Sequence, residues 1–188
     1  MQYHEVKINI DFETRANMRT SGTALTSDDL TASLWVDYIF LDTDERRRFA
    51  QLSHEYLIEQ LQFTGDESLT SDNNRVKLNF NHPCKELVWV ARIDTNETAK
   101  AWTNYTNSSN VNVTSVAKLQ LNGHDRFAER AGTYFNLVQP FQHHENVSEN
   151  LGINVYSFAL KPEEHQPSGT LNMSRIDTAV LNLTTALY

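Results

Sequence analysis

The chain has 188 residues, with 16 Lys and Arg against 24 Asp and Glu, for a net charge of −8 at pH 7. Its one basic run is Arg46-Arg47-Arg48, which argues against nucleic acid as the main partner. A single cysteine, Cys84, excludes an intrachain disulfide and a paired-cysteine metal motif, and no apolar run reaches the roughly 18 residues of a membrane span.

His4 to Phe12 alternates, with Val6, Ile8, Ile10 and Phe12 on one face and Glu5, Lys7, Asn9 and Asp11 on the other, which predicts a half-buried strand. Residues 13 to 31 are rich in Thr, Ser, Asp and Asn and predict a long loop. Leu34 to Leu41 is the next expected strand. Asp42 stands three residues before Glu45, the spacing of a capping box, so a short helix should open there and run to about Gln51. Tyr56 to Phe63 reads as extended, followed by Thr64-Gly65-Asp66 and a polar loop to Asn74.

Arg75 to Phe80 alternates with Val76, Leu78 and Phe80 inward, and Leu87 to Ala91 is nearly continuously apolar; Asn81-His82-Pro83 makes a turn between them. The Asn/Thr/Ser stretch from Thr95 to Ser115 is expected to be a long surface loop outside the core, projecting from one end. Ala117 to Leu121 is a short strand closed by Asn122-Gly123, and Glu129 to Leu137 reads as a brief helix. The remaining strands are Ile153 to Leu160, Thr170 to Ile176 and Ala179 to about Ala186. Between the first two of these lies a stiff corner. Pro162 and Pro167 fix their own φ and bias their predecessors towards extended geometry, while Gly169 relieves a sharp turn.

Many short strands, long polar connections and little helix predict an antiparallel sandwich, with a jelly roll the natural candidate and one domain over residues 1–188. Chemistry-bearing residues are few. His143-His144-Glu145, with His124 or His165, has the residue types of a zinc or iron site, yet adjacent histidines on an extended segment point to opposite faces. They are read as surface or interface groups, and no metal, cofactor or catalytic residue is assigned. His124-Asp125 reads as a turn, Cys84 as a half-buried thiol, and Arg46 to Arg48 as partners of Asp42, Asp44 and Glu45 or as a subunit contact. Sequons occur at Asn96, Asn104, Asn107, Asn112, Asn146, Asn172 and Asn182; the first four share the polar stretch, where glycosylation is the candidate modification. Trp35, Tyr38, Phe40, Trp89, Tyr156 and Phe158 are expected in the core.

Several segments in one order are similar to a known family: Leu41-Asp-Thr-Asp-Glu-Arg-Arg-Arg-Phe-Ala-Gln51 with His54 to Gln60, Leu78-Asn-Phe-Asn-His-Pro-Cys-Lys-Glu-Leu-Val-Trp89, Leu121 to Phe127, and Val155 to Asp177 around the corner. The chain resembles the C-terminal jelly roll of the major capsid proteins of large eukaryotic DNA viruses, of the iridovirus and chlorella-virus kind. The resemblance implies an eight-stranded antiparallel jelly roll with one or two short helices and no enzymatic activity. It further implies a virion protein, assembled in the host cytoplasm, that trimerises into pseudo-hexagonal capsomers of an icosahedral shell. Its partners would be other copies of itself, neighbouring capsid subunits or a first jelly roll that this chain lacks, and minor capsid proteins. The family continues past the position of Tyr188 into another strand, so an open sheet edge is expected near the end of the chain. The alternatives are a carbohydrate-binding jelly-roll module, and a cupin-type metalloenzyme that would need stoichiometric metal.

Overall fold

The computed structural model describes residues 6–14, 16–18 and 31–186. The chain divides into two compact units, Met1–Gln60 and Leu61–Tyr188.

In the first unit, helix α1 spans Thr43–Gln51. The Asp42 carboxylate accepts the Glu45 N–H at 2.8 Å and the Glu45 carboxylate accepts the Asp42 N–H at 3.2 Å, which completes the expected capping box. Asp44 and Glu45 in the first turn and Arg48 in the last complement the helix dipole. The strands expected over His4–Phe12 and Leu34–Leu41 do not form: their described residues carry no ladder, and His4 and Glu5 lie outside the described residues. Most of the loop expected over 13–31 lies outside them as well. Alternation marks a face suited to a sheet, but a strand is stable only when neighbours bond its backbone. Trp35, Tyr38, Ile39 and Phe40 are accordingly 90, 77, 86 and 91 % exposed, so the core role expected of Trp35, Tyr38 and Phe40 is not realised.

The second unit holds every strand among the described residues. They are β1 (Asn73–Leu78), β2 (Pro83–Cys84), β3 (Glu86–Val90), β4 (Thr114–Leu121), β5 (His124–Asp125), β6 (Arg130–Ala131), β7 (Ile153–Ser157), β8 (Leu171–Asn172) and β9 (Ala179–Thr185). Helix α2 (Asp94–Thr98) follows β3, and a π turn over Tyr134–Val138 runs directly into α3 (Gln139–His143). One sheet is ordered β1-β9-β4, with β5 and β6 both pairing with β4; the pairs β3–β7 and β2–β8 complete the strands, and all ladders are antiparallel. Residues 61–72 carry no ladder but are tied in by Gln62, whose side chain accepts the Asn81 N–H at 2.9 Å and donates to the Asn81 carbonyl at 2.7 Å.

Register decides which side chains meet. Val76, Leu181 and Leu119 form one cross-strand row, and Leu78, Ala179 and Leu121 the next, all contributing to or flanking the core. Phe135 from the π turn is fully buried at its centre, with ring centroids 5.1 Å from Trp89, 5.1 Å from Tyr134 and 5.5 Å from Phe127. Burying such a side chain contributes roughly 1.5–3 kcal/mol. The same turn leaves Asn136 Nδ2, like Trp89 Nε1, buried without a hydrogen-bond partner. Trp89, Tyr156 and Phe158 pack against the core as expected.

Two other expectations are corrected. The helix expected over Glu129–Leu137 begins only at Tyr134, after β6. The stretch 95–115 is not a projecting loop, since it contains α2, begins β4 and places Val113 fully in the core. The last strand, β9, is hydrogen-bonded to β1 on one side and β4 on the other, whereas β8, within the expected strand Thr170 to Ile176, pairs with β2 on one side alone among the described residues. Asn122 and Gly123, at φ 50° and 79°, form the tight turn from β4 to β5 that an Asn-Gly pair favours.

Candidate functional site

The corner between β7 and β8 is the most elaborately held surface feature. Pro162 is buried, whereas Pro167 is exposed. Ser168 Oγ accepts the Lys161 N–H at 2.8 Å and donates to the Lys161 carbonyl at 3.2 Å, closing the bend. Gly169 adopts φ +145°, and a Cβ there would lie 3.0 Å from the Phe158 carbonyl oxygen, so glycine is required on both counts.

Two neighbouring elements pin this bend. The Lys85 carbonyl accepts the Phe158 and Ala159 N–H groups at 2.8 and 3.2 Å, while its ammonium donates to the carbonyls of Glu164 and His165 at 2.5 and 3.3 Å. At the C-terminus of α3, His143 Nδ1 donates to the Leu160 carbonyl at 3.0 Å. His144 stands between two carboxylates, with Nε2 2.8 Å from Glu86 Oε2 and Nδ1 3.7 Å from Glu163 Oε1. Buried Gln139 accepts the Ser157 N–H at 2.9 Å and donates to the Tyr134 hydroxyl at 2.9 Å, fixing the helix to the end of β7. Lys161 pairs with Glu164 at 2.9 Å, and that bond holds its ammonium above the usual lysine range.

The histidines of His143-His144-Glu145 therefore face different partners, although His143 ends α3 and only His144 is extended, where an extended segment was expected for both. Among the described residues no three His, Cys, Asp or Glu side chains converge as a metal set. His124 is exposed on β5, and His165 offers its carbonyl to Lys85. Cys84 is half-buried, donates to the Glu86 carbonyl at 3.1 Å, and is pushed up to about 11 by burial, which leaves a poor nucleophile. Arg47 pairs with Asp44 at 3.3 Å on the exposed surface of α1.

The polar stretch is organised by asparagine side chains. Asn112 and Asn154 exchange amide hydrogen bonds at 2.6 and 3.4 Å in the interior, and Asn112 Oδ1 also accepts the Thr114 N–H at 3.0 Å. Asn96 Nδ2 donates to the carbonyls of Asn104 and Thr106 at 3.0 and 2.9 Å. Asn107 is buried, and its Oδ1 accepts the Ser109 and Val111 N–H groups. Asn104 is half-buried and uses Oδ1 to hold Thr106. In the sequence Asn96, Asn104, Asn107 and Asn112 stand out only as sequons, and Asn154 not at all; the signal for their structural use was Asn density beside a core strand.

The outer face of the large sheet is polar. Arg75, Asn182 and Lys118 align across β1, β9 and β4, and Asn182 Nδ2 donates to Gln120 Oε1 at 3.1 Å. Gln120 and Lys118 both bond Asp125, at 2.7 and 3.2 Å, and hold its carboxyl below the usual range. A groove of about 350 Å³ runs over Asn73, Arg75, Lys118, Glu129 and Thr184. Among the described residues no helix is long and apolar enough to cross a membrane.

The antiparallel strands of the second unit form the jelly-roll architecture of the solved viral capsid structures that this chain matches. The chain belongs to the large eukaryotic DNA virus major capsid protein family, whose family model matches residues 45–187. It is 55 % identical to the major capsid protein of Pyramimonas orientalis virus over 97 % of this chain and 48 % of that protein. To the major capsid protein of Paramecium bursaria Chlorella virus 1 it is 46 % identical, over 98 % of this chain and 49 % of the relative. The chain thus spans about half the length of these curated relatives. The crystal structure of the PBCV-1 capsid protein, fitted into a reconstruction of the virophage Sputnik, matches at TM-score 0.68 and 45 % identity, covering 79 % of this chain and 43 % of that one. These relatives are structural capsid proteins, not enzymes.

Proposed function

We propose that this chain is a building block of a large DNA virus capsid, acting in the virion by shape and by contacts between subunits. The observation that carries this reading is the 55 % identity to a major capsid protein over almost the entire chain. In the proposal, the Leu61–Tyr188 jelly roll is the rigid wedge, three subunits form a pseudo-hexagonal capsomer, and capsomers tile an icosahedral shell assembled in the host cytoplasm.

The exposed apolar residues of the first unit, Trp35, Ile39 and Phe40 among them, are surfaces for further capsid polypeptide: a first jelly roll, neighbouring subunits or minor capsid proteins. Asn104 is the sequon best placed for a glycan in the polar stretch, because it is half-exposed and engages its neighbours through Oδ1 rather than through the nitrogen a glycan would take.

Sedimentation velocity and negative-stain microscopy of the full chain, alone and co-expressed with a first-jelly-roll polypeptide from a relative, test this reading. Three-subunit particles are expected in at least one preparation. Monodisperse monomer in both would overturn it.

A further inference from the structure

We propose that the groove on the outer face of the β1-β9-β4 sheet is a binding site for a saccharide unit carrying a single carboxylate, a uronic acid, with Arg75 taking the carboxylate and Asn73, Asn182 and Glu129 the hydroxyls. The groove holds about 350 Å³, inside the range of roughly 300–1,000 Å³ typical of small-ligand sites. Its floor is set by register: Arg75, Asn182 and Lys118 stand side by side across the three strands, and Asn73 lies beside Thr184 in the next row. Alternation turns Ala117 and Leu183 of the same strands into the core, which leaves the groove side mainly to polar groups.

Hydrogen bonding within the sheet reserves particular atoms for a ligand. Thr184 Oγ1 donates to Asn73 Oδ1 at 2.9 Å, so the Asn73 amide nitrogen remains as a donor. Asn182 spends Nδ2 on Gln120 Oε1 at 3.1 Å, which keeps its Oδ1 as an acceptor. Lys118 is tied to Asp125 at 3.2 Å. Among the described residues neither Arg75, on β1, nor Glu129, just before β6, has an ion pair, and both line the groove.

That set of groups selects the ligand. The planar fork of Arg75 matches a carboxylate bidentately. Glu129 repels a phosphate dianion or a polyanion but accepts from a hydroxyl, and hydroxyls also accept from the Asn73 amide. An acidic peptide fits less well, because peptide recognition relies on pockets for side chains and the apolar side chains of Ala117 and Leu183 face the core. Ligand capture on this face goes beyond capsid assembly, and its test returns an answer whether or not capsomers form.

Saturation-transfer nuclear magnetic resonance with the full chain tests it, using methyl galacturonoside, methyl galactoside, acetate and a short Asp-rich peptide as probes. The uronoside should bind with a dissociation constant on the order of 1 mM, the weak affinity of a few exposed hydrogen bonds. The other three should each bind at least about fivefold more weakly. Arg75→Ala should weaken the uronoside about tenfold, whereas Arg175→Ala, outside the groove, should leave it unchanged. Acetate binding as tightly as the uronoside would reduce the groove to an anion contact and overturn the proposal. Equal binding of the galactoside or the peptide would overturn it too, as would no detectable uronoside binding or binding that survives Arg75→Ala. The ranking of the probes on the unsubstituted chain decides the matter even where a variant fails to fold.

Discussion

Asn154 shows how much one buried amide can organise. Its side chain is fully buried, yet its Oδ1 accepts from Asn112 and its Nδ2 donates to the Gly152 carbonyl at 3.1 Å, so the desolvation cost of both asparagines is offset. Asn154→Ala leaves the Asn112 amide buried with its partner gone, and we expect a loss of about 2–3 kcal/mol in denaturant unfolding. The double variant Asn112→Ala, Asn154→Ala should lose clearly less than the sum of the two singles, because each single change already breaks the pair; strict additivity would refute the coupling. The residues with candidate chemistry behave differently. The half-buried setting of Cys84 was legible from its neighbours in sequence. The partners of His144 were not, because Glu86 and Glu163 lie 58 residues before it and 19 after it in the numbering.

Elements whose determinants are local came out as the sequence indicated. The α1 capping box rests on Asp42 and Glu45 alone, and the β4–β5 turn rests on the left-handed tolerance of Asn122 and Gly123. Elements that depend on neighbours did not. The helix expected from Glu129 is displaced because Arg130 and Ala131 pair with Ala117 and Val116 of β4, and ladder bonds there win over helical propensity. Gly132 follows that pair, and a Cβ at its position would overlap the Thr114 carbonyl. Gly132→Ala should therefore destabilise the second unit by more than 2 kcal/mol. Gly123→Ala meets open space and carries only the strain of φ +79°, about 1 kcal/mol. Thermal unfolding of the two variants side by side checks the order, and equal losses would contradict it.

For the whole molecule, the contrast lies between a second unit with a central, doubly paired β9 and a first unit rich in exposed apolar side chains. Contiguous exposed apolar surface favours association. Replacing Trp35 and Phe40 together by Ser should lower the sedimentation coefficient of the full chain at a given concentration while leaving the unfolding midpoint of the second unit unchanged. An unaltered association profile would show that these residues are not the adhesive surface. Pairing on both sides leaves β9 no free backbone edge for a partner, whereas β8 is paired on one side alone among the described residues.

By itself the sequence determined the all-β class, the α1 cap, the stiff corner, the inward face of β1 and, through its resemblance, the capsid family. Each of these is written in short-range patterning or in ordered segments that survive without knowledge of the partner strands. Only the tertiary structure decided that Val113, Asn112 and Asn154 bring a polar stretch into the interior, that β9 lies between β1 and β4, and that His144 faces two carboxylates. The physical reason is common to all three. Burial of a polar side chain, closure of a sheet and pairing of a charge depend on groups distant along the chain, and their free energies exist only once the fold has brought those groups together.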